Sequence, residues 1–140
     1  MQNADRAEWI RTARCACGEV SVVVRGEPQV INACACHRCQ TRSGSSFTYT
    51  AFFIARHTEV TGQTRLYRET RASGRWHESH FCPRCGVSIM SRLEAFPDYI
   101  GIAVGCFSDG EFPPPSGLYW ASRRHHWLAV AEGISMVERQ

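Results

Sequence analysis

Apolar residues in this chain fall in short alternating or β-branched runs, and each run is closed by Gly, Pro or polar turn residues. Helical spacing is scarce. Residues 19–24 form one such run ahead of an Arg-Gly-Glu-Pro turn, and residues 30–33 predict a second strand that delivers Cys34. Residues 46–54 are rich in aromatic and β-branched side chains, and residues 59–61 lead to a break at Gly62. Residues 65–69 are expected to pair with 75–81 across the Ala72-Ser73-Gly74 turn, and runs at 87–91 and 99–104 complete the core candidates. Three consecutive prolines make 112–117 loop. One helical turn is expected, at 37–43, ended by Gly44. With no internal repeat and no interdomain linker, the pattern predicts one mainly β domain over 1–140.

Composition narrows the classes. At 140 residues and 44% hydrophobic, the chain supports one core and not two. All 16 basic residues are arginine against 13 acidic ones, a formal charge of +3, and no basic run marks a nucleic-acid face. The absence of lysine excludes Schiff-base and P-loop chemistry. The longest aliphatic stretch, 20–24, is far short of a membrane span, and residues 1–15 hold no apolar signal core. The expected setting is therefore cytoplasmic, where paired cysteines hold metal more often than disulfides.

Eight cysteines carry the chemistry. Cys82-Pro-Arg-Cys85-Gly86 has the form of a zinc knuckle, in which turn N–H groups point at the sulfurs and glycine supplies the positive φ. One knuckle gives two ligands, and Cys15-Ala-Cys17-Gly18 is the obvious second pair for a closed four-cysteine structural zinc. Cys34, Cys36 and Cys39 place three thiolates within six residues, which suits a second zinc with an open position for a thiol-bearing substrate. Two other readings stay open there: closure by His37 as a Cys₃His site, and an unmetallated redox cluster. Seven thiolates on two Zn²⁺ would offset the formal charge and bring the loaded protein near neutrality.

The order CxCG, then CxCxxC with Arg42-Ser43-Gly44-Ser45 behind it, then Phe81-Cys82-Pro83-Arg84-Cys85-Gly86, resembles the glutathione-dependent formaldehyde-activating enzyme family, which includes centromere protein V. Gly62 with Tyr67, and the late Tyr119-Trp120 and Trp127, also resemble that family's spacing, so the likeness runs from about Thr12 to Trp127. The resemblance implies an Mss4-like, zinc-stapled β-sandwich or β-tent. It also implies a structural zinc on Cys15, Cys17, Cys82 and Cys85 and a second on Cys34, Cys36 and Cys39. Two departures stand out: Ala35 lies where many members carry histidine, and Phe107-Ser108-Asp109-Gly110-Glu111 lacks the usual paired acidic motif.

The function these features point to is a carbon–sulfur lyase with two Zn²⁺ per chain, joining a small aldehyde to a thiol such as glutathione. In this reading Arg38, Arg42 and Arg123 orient substrate carboxylates, because arginine forks match carboxylates bidentately, and Ser43 or Asp109 moves the proton. The alternative is a non-catalytic zinc-binding β module that recognises a protein or a thiol adduct. Cys106 reads as core packing before a fourth ligand or redox partner. His77 and His80 lack the spacing of a helical metal motif and read as strand residues pointing to opposite faces. His125-His126 beside Arg123-Arg124 reads as a solvated basic face. No pattern forces an oligomer, although residues 46–54 would offer an edge for pairing between chains.

Overall fold

The computed structural model describes residues 9–139. The described residues open with β1 (Ile10–Arg14), β2 (Ser21–Arg25) and β3 (Val30–Cys34), followed by a helix, α1 (His37–Ser43). Next come β4 (Thr48–Ile54), β5 (Thr58–Thr61), β6 (Arg65–Thr70) and β7 (Trp76–Phe81). The remaining strands are β8 (Ser88–Leu93), β9 (Tyr99–Ala103), β10 (Gly117–Tyr119) and β11 (Ser135–Val137). Short 3₁₀ turns occupy Ala55–His57, Val104–Phe107 and Ala121–Arg123.

These strands build two sheets. A small one runs β1-β2-β5, and a large one runs β11-β10-β3-β4-β9-β8-β7-β6. Most neighbours are antiparallel, but β10 lies parallel to both β3 and β11. The mainly β expectation is met, and the hairpin joining β6 to β7 has the foreseen partners, with Arg65 opposite Phe81. The expectation of an edge at 46–54 is corrected: β4 pairs with β3 on one side and β9 on the other, so its backbone groups are already satisfied. Ordered structure also continues past Trp127, because β11 closes one margin of the large sheet.

The alternation of the central strands decides where the site lies. Ala51 and Phe53 of β4 and Ile100 and Ile102 of β9 point into the main core, where they meet Ala13, Val22 and Val24 of the small sheet. The interleaved positions, Asn32 and Cys34 of β3, Thr48, Thr50 and Phe52 of β4 and Tyr99 of β9, face the opposite way and line a cavity. Gly101 sits in the floor of that face: a Cβ there would come within 2.6 Å of Ser91 Oγ and 2.9 Å of the Phe52 ring. A second, smaller core of Ala33, Ala35, Leu118 and Ala121 anchors the parallel strands behind the helix.

Candidate functional site

The two glycine-closed knuckles fold alike. In the first, Cys15 N–H donates to Val20 O and Gly18 N–H to Cys15 O, and Gly18 takes a φ of 79°. In the second, Cys82 N–H donates to Val87 O and Gly86 N–H to Cys82 O, and Gly86 also takes 79°. Each knuckle thus exposes its sulfurs on one side of a tight turn. The four sulfurs of Cys15, Cys17, Cys82 and Cys85 lie within 4.8 Å of one another. The Cys15–Cys17 and Cys17–Cys82 separations are both 3.7 Å, close to the edge of about 3.8 Å that a tetrahedron with Zn–S bonds of about 2.3 Å requires. The donor set and its spacing therefore fit a closed tetrahedral ion. Backbone N–H groups of Val87 and Cys17 hold Cys85 down at about 6, against burial.

Backbone packing next to the first knuckle is equally tight. Gly62, at the end of β5, has a φ of 91°, and a Cβ on it would stand 2.1 Å from Glu19 O. The strand break legible at Gly62 is thus a close approach of two backbones.

The middle cluster is set by three different local structures. Cys34 ends β3, paired with Thr48 of β4 and Tyr119 of β10. Cys36 is the N-cap of α1, its sulfur accepting from Cys39 N–H at 3.3 Å. Cys39 is buried one turn into the helix. Gln40 locks this entry by donating to Ala35 O at 2.7 Å and to Arg123 O at 3.1 Å, while Gly44 ends the helix in the left-handed conformation. Strand end, cap and first turn together bring the three sulfurs within 4.8 Å of one another. The Cys34 thiol, then Thr48 and Arg42, hold Cys39 down at about 4 although burial opposes this, and the same contact with Cys39 pushes Cys34 up. Three thiol donors with one side free fit a soft divalent ion that keeps an open position. Among the described residues His37 does not join the group, and neither does Cys106. Cys106 packs against the main core near Cys15 and Cys85, where burial raises its thiol to about 11.

Cys34 and Cys39 form part of the wall of a cavity of about 480 Å³, whose lining includes Arg42, Arg71, His77 and Tyr119. Its size falls in the range of small-molecule sites. Of the four positions expected to touch substrate, Arg42 lies in this wall, with its terminal nitrogen 3.8 Å from Cys39 Sγ. Arg38 points to a neighbouring cavity beside Glu69, 3.6 Å from its carboxylate. Ser43 spends its hydroxyl inside the helix, donating to Cys39 O at 2.8 Å. Arg123 lies over the Trp120 ring, 4.5 Å from its centroid. Asp109 is paired with Arg11 and caps Glu111 N–H, so it stands outside the cavity.

Sequence reasoning did not reach Arg71 and His77. Arg71 follows β6 with no motif around it, and His77 reads as an ordinary strand residue. The expectation that His77 and His80 face opposite ways is met, since His80 contacts Glu78 and Thr64 while His77 faces the cavity. Facing alternate sides was the available signal; what lay on the far side was not written in the local sequence.

Comparison with known proteins adds the lineage. A protein of Rhodobacter sphaeroides with a solved crystal structure superposes with a TM-score of 0.52 at 20% identity, covering 74% of this chain and 91% of that one, a likeness of fold. No curated protein matches the chain. A family model described as glutathione-dependent formaldehyde-activating enzyme matches residues 10–123, which contain both cysteine sets and the arginines and histidine of the cavity. By that match the chain belongs to the glutathione-dependent formaldehyde-activating enzyme family.

Proposed function

We propose that this protein is a zinc-dependent carbon–sulfur lyase that makes and breaks the adduct between a carboxylate-bearing thiol, such as glutathione, and formaldehyde. One observation carries the reading: two members of a three-thiol donor set, Cys34 and Cys39, share the wall of one cavity with two arginines, Arg42 and Arg71. Zinc on Cys34, Cys36 and Cys39 supplies Lewis acidity that lowers the pKa of a thiol. The chain itself supplies position. Arg42 and Arg71 are the cationic side chains of the cavity lining, and guanidinium forks match carboxylates bidentately. Thr48 and Thr50 on β4 and Asn32 on β3 offer neutral polar contacts along the same wall.

In the addition, a sulfur lone pair forms the S–C bond, the C=O π pair moves onto oxygen, and the proton lost by sulfur ends on that oxygen. No oxidant or reductant is needed. Because the uncatalysed addition is itself easy, the decisive measurement is the rate of exchange between S-hydroxymethylglutathione and its components, with and without protein. Acceleration at catalytic protein concentrations supports the lyase, and binding without acceleration supports the carrier module in its place. Arg71→Met should raise KM for glutathione about tenfold or more while leaving 2-mercaptoethanol, which has no carboxylate, unchanged. An equal loss for both thiols would remove Arg71 from the carboxylate role.

A further inference from the structure

Among the described residues, buried side-chain nitrogens and oxygens without partners are few, and they are not scattered. Besides Arg11 Nε they belong to Arg42, Glu69, Arg71, His77 and Ser79, all of which line the cavity or its neighbour across Arg42. His77 is the most enclosed of the five. Its residue surface is 2% exposed, its Nδ1 has no hydrogen-bond partner, and its strand presents it to the wall that also holds Cys34 and Cys39. Buried polar atoms in folded proteins are nearly always paired, so an unpartnered imidazole at a cavity wall is a position that an ordered water or a bound ligand completes.

We propose that His77 is a catalytic residue of the thiol–aldehyde reaction, holding the aldehyde oxygen by a hydrogen bond from a neutral imidazole. The proposal rests on the lyase reading above and assigns a group for the oxygen, where that reading assigned groups only for the sulfur and the carboxylate. As the S–C bond forms and the π pair moves to oxygen, the imidazole N–H donates to the growing negative charge. The proton given up by the thiol then settles on that oxygen, and the imidazole ends as it began. A neutral imidazole is suited to this, because it polarises a carbonyl without first surrendering a proton.

The surroundings keep it neutral. Burial acts first, and the guanidinium groups of Arg42 and Arg38 on α1 and of Arg71 after β6 add to it, with Glu78 on the same strand opposing. The alternative reading, a packed strand histidine, leaves the orphaned nitrogen and its place in the wall shared with Cys34 and Cys39 unexplained.

The test compares His77→Phe, which keeps ring volume and removes hydrogen bonding, with His77→Gln, which keeps an N–H donor. In the zinc-loaded protein, His77→Phe should lower kcat for adduct exchange about 100-fold, with glutathione affinity and zinc content within threefold of wild type. His77→Gln should recover at least a tenth of wild-type kcat. An active wild type alongside a His77→Phe variant within threefold of its kcat would overturn the role of His77 alone. A wild type without any acceleration would overturn the lyase reading and this role together. Should His77→Phe fail to fold, ¹⁵N resonances of the wild-type His77 ring decide: a shift on adding S-hydroxymethylglutathione but not S-methylglutathione supports the contact, and equal shifts overturn it.

Discussion

At the scale of single residues, the cavity wall sets a buried histidine among half-buried arginines. His77 shows the consequence most directly. Its imidazole is held down at about 3, by burial first and then by Arg42, Arg71 and Arg38, whereas in the unfolded chain it takes its ordinary value of 6.5. Below 6.5 the unfolded chain therefore binds a proton that the folded one refuses, so the stabilising difference is whole above 6.5 and is lost as pH falls toward 3. The expected loss is about 1.4 kcal/mol for each pH unit below 6.5, or about 2 kcal/mol by pH 5. Urea midpoints for zinc-loaded wild type and His77→Phe at pH 7.5 and pH 5 check this. The variant should lose less stability between the two pH values, since both proteins share the acid lability of the cysteine sites and only one carries the histidine. Equal losses would show that the imidazole is not held neutral. Nothing in the sequence around His77 announced this behaviour, because the charges that cause it come from α1 and from the residue after β6.

At the scale of elements, what was legible depended on whether an element is fixed locally. The helix expected at 37–43 with Gly44 as its stop is found there, because a short run closed by a glycine is a local signal. The antiparallel strands from β2 to β9 were read to within a few residues for the same reason. The strands β1, β10 and β11 were not foreseen. The last two are three residues long, and β10 pairs in parallel with β3, far back in the chain, and with β11 in the tail, so register and not periodicity creates them. The site inherited this division: the cysteines were visible as motifs, while the cavity was not, since it forms between β3, β4, β7 and the helix.

The same helix supplies a prediction. Cys36 is both a candidate ligand and the N-cap of α1. Serine at this position keeps a capping oxygen but gives up a thiolate, whereas valine gives up both. Cys36→Ser should therefore lose about one zinc per chain with stability of the remaining fold nearly unchanged, and Cys36→Val should lose the same zinc plus about 1 kcal/mol. Elemental analysis and urea unfolding of the two variants, side by side, separate ligand from cap. If both variants kept full zinc, Cys36 would not be a ligand.

At the scale of the whole molecule, the two cysteine sets join different things. The middle set lies within one corner, between a strand end and the helix that follows it. The other set joins the turn between β1 and β2 in the small sheet to the turn between β7 and β8 in the large one, bridging positions 65 residues apart. An ion held there closes a long loop and clamps the sheets that share the main core, and Cys82, one of its donors, is fully buried in that core. Structural zinc in small domains contributes on the order of 10 kcal/mol to folding, comparable with the entire stability of a domain of this size. Cys82→Ser should therefore abolish cooperative unfolding or yield aggregate, while Cys36→Ser keeps a sharp transition. Purified wild type should carry about two zinc ions per chain, and graded chelation should remove one before the fold is lost. The order matters more than the count. The open three-thiol site should release its metal first, with loss of adduct exchange and no loss of the urea transition, and the closed site should release its metal together with the fold. Simultaneous loss of both, with activity and structure falling along one curve, would mean that the two sites are a single cooperative unit and that the division into scaffold and reaction centre is wrong.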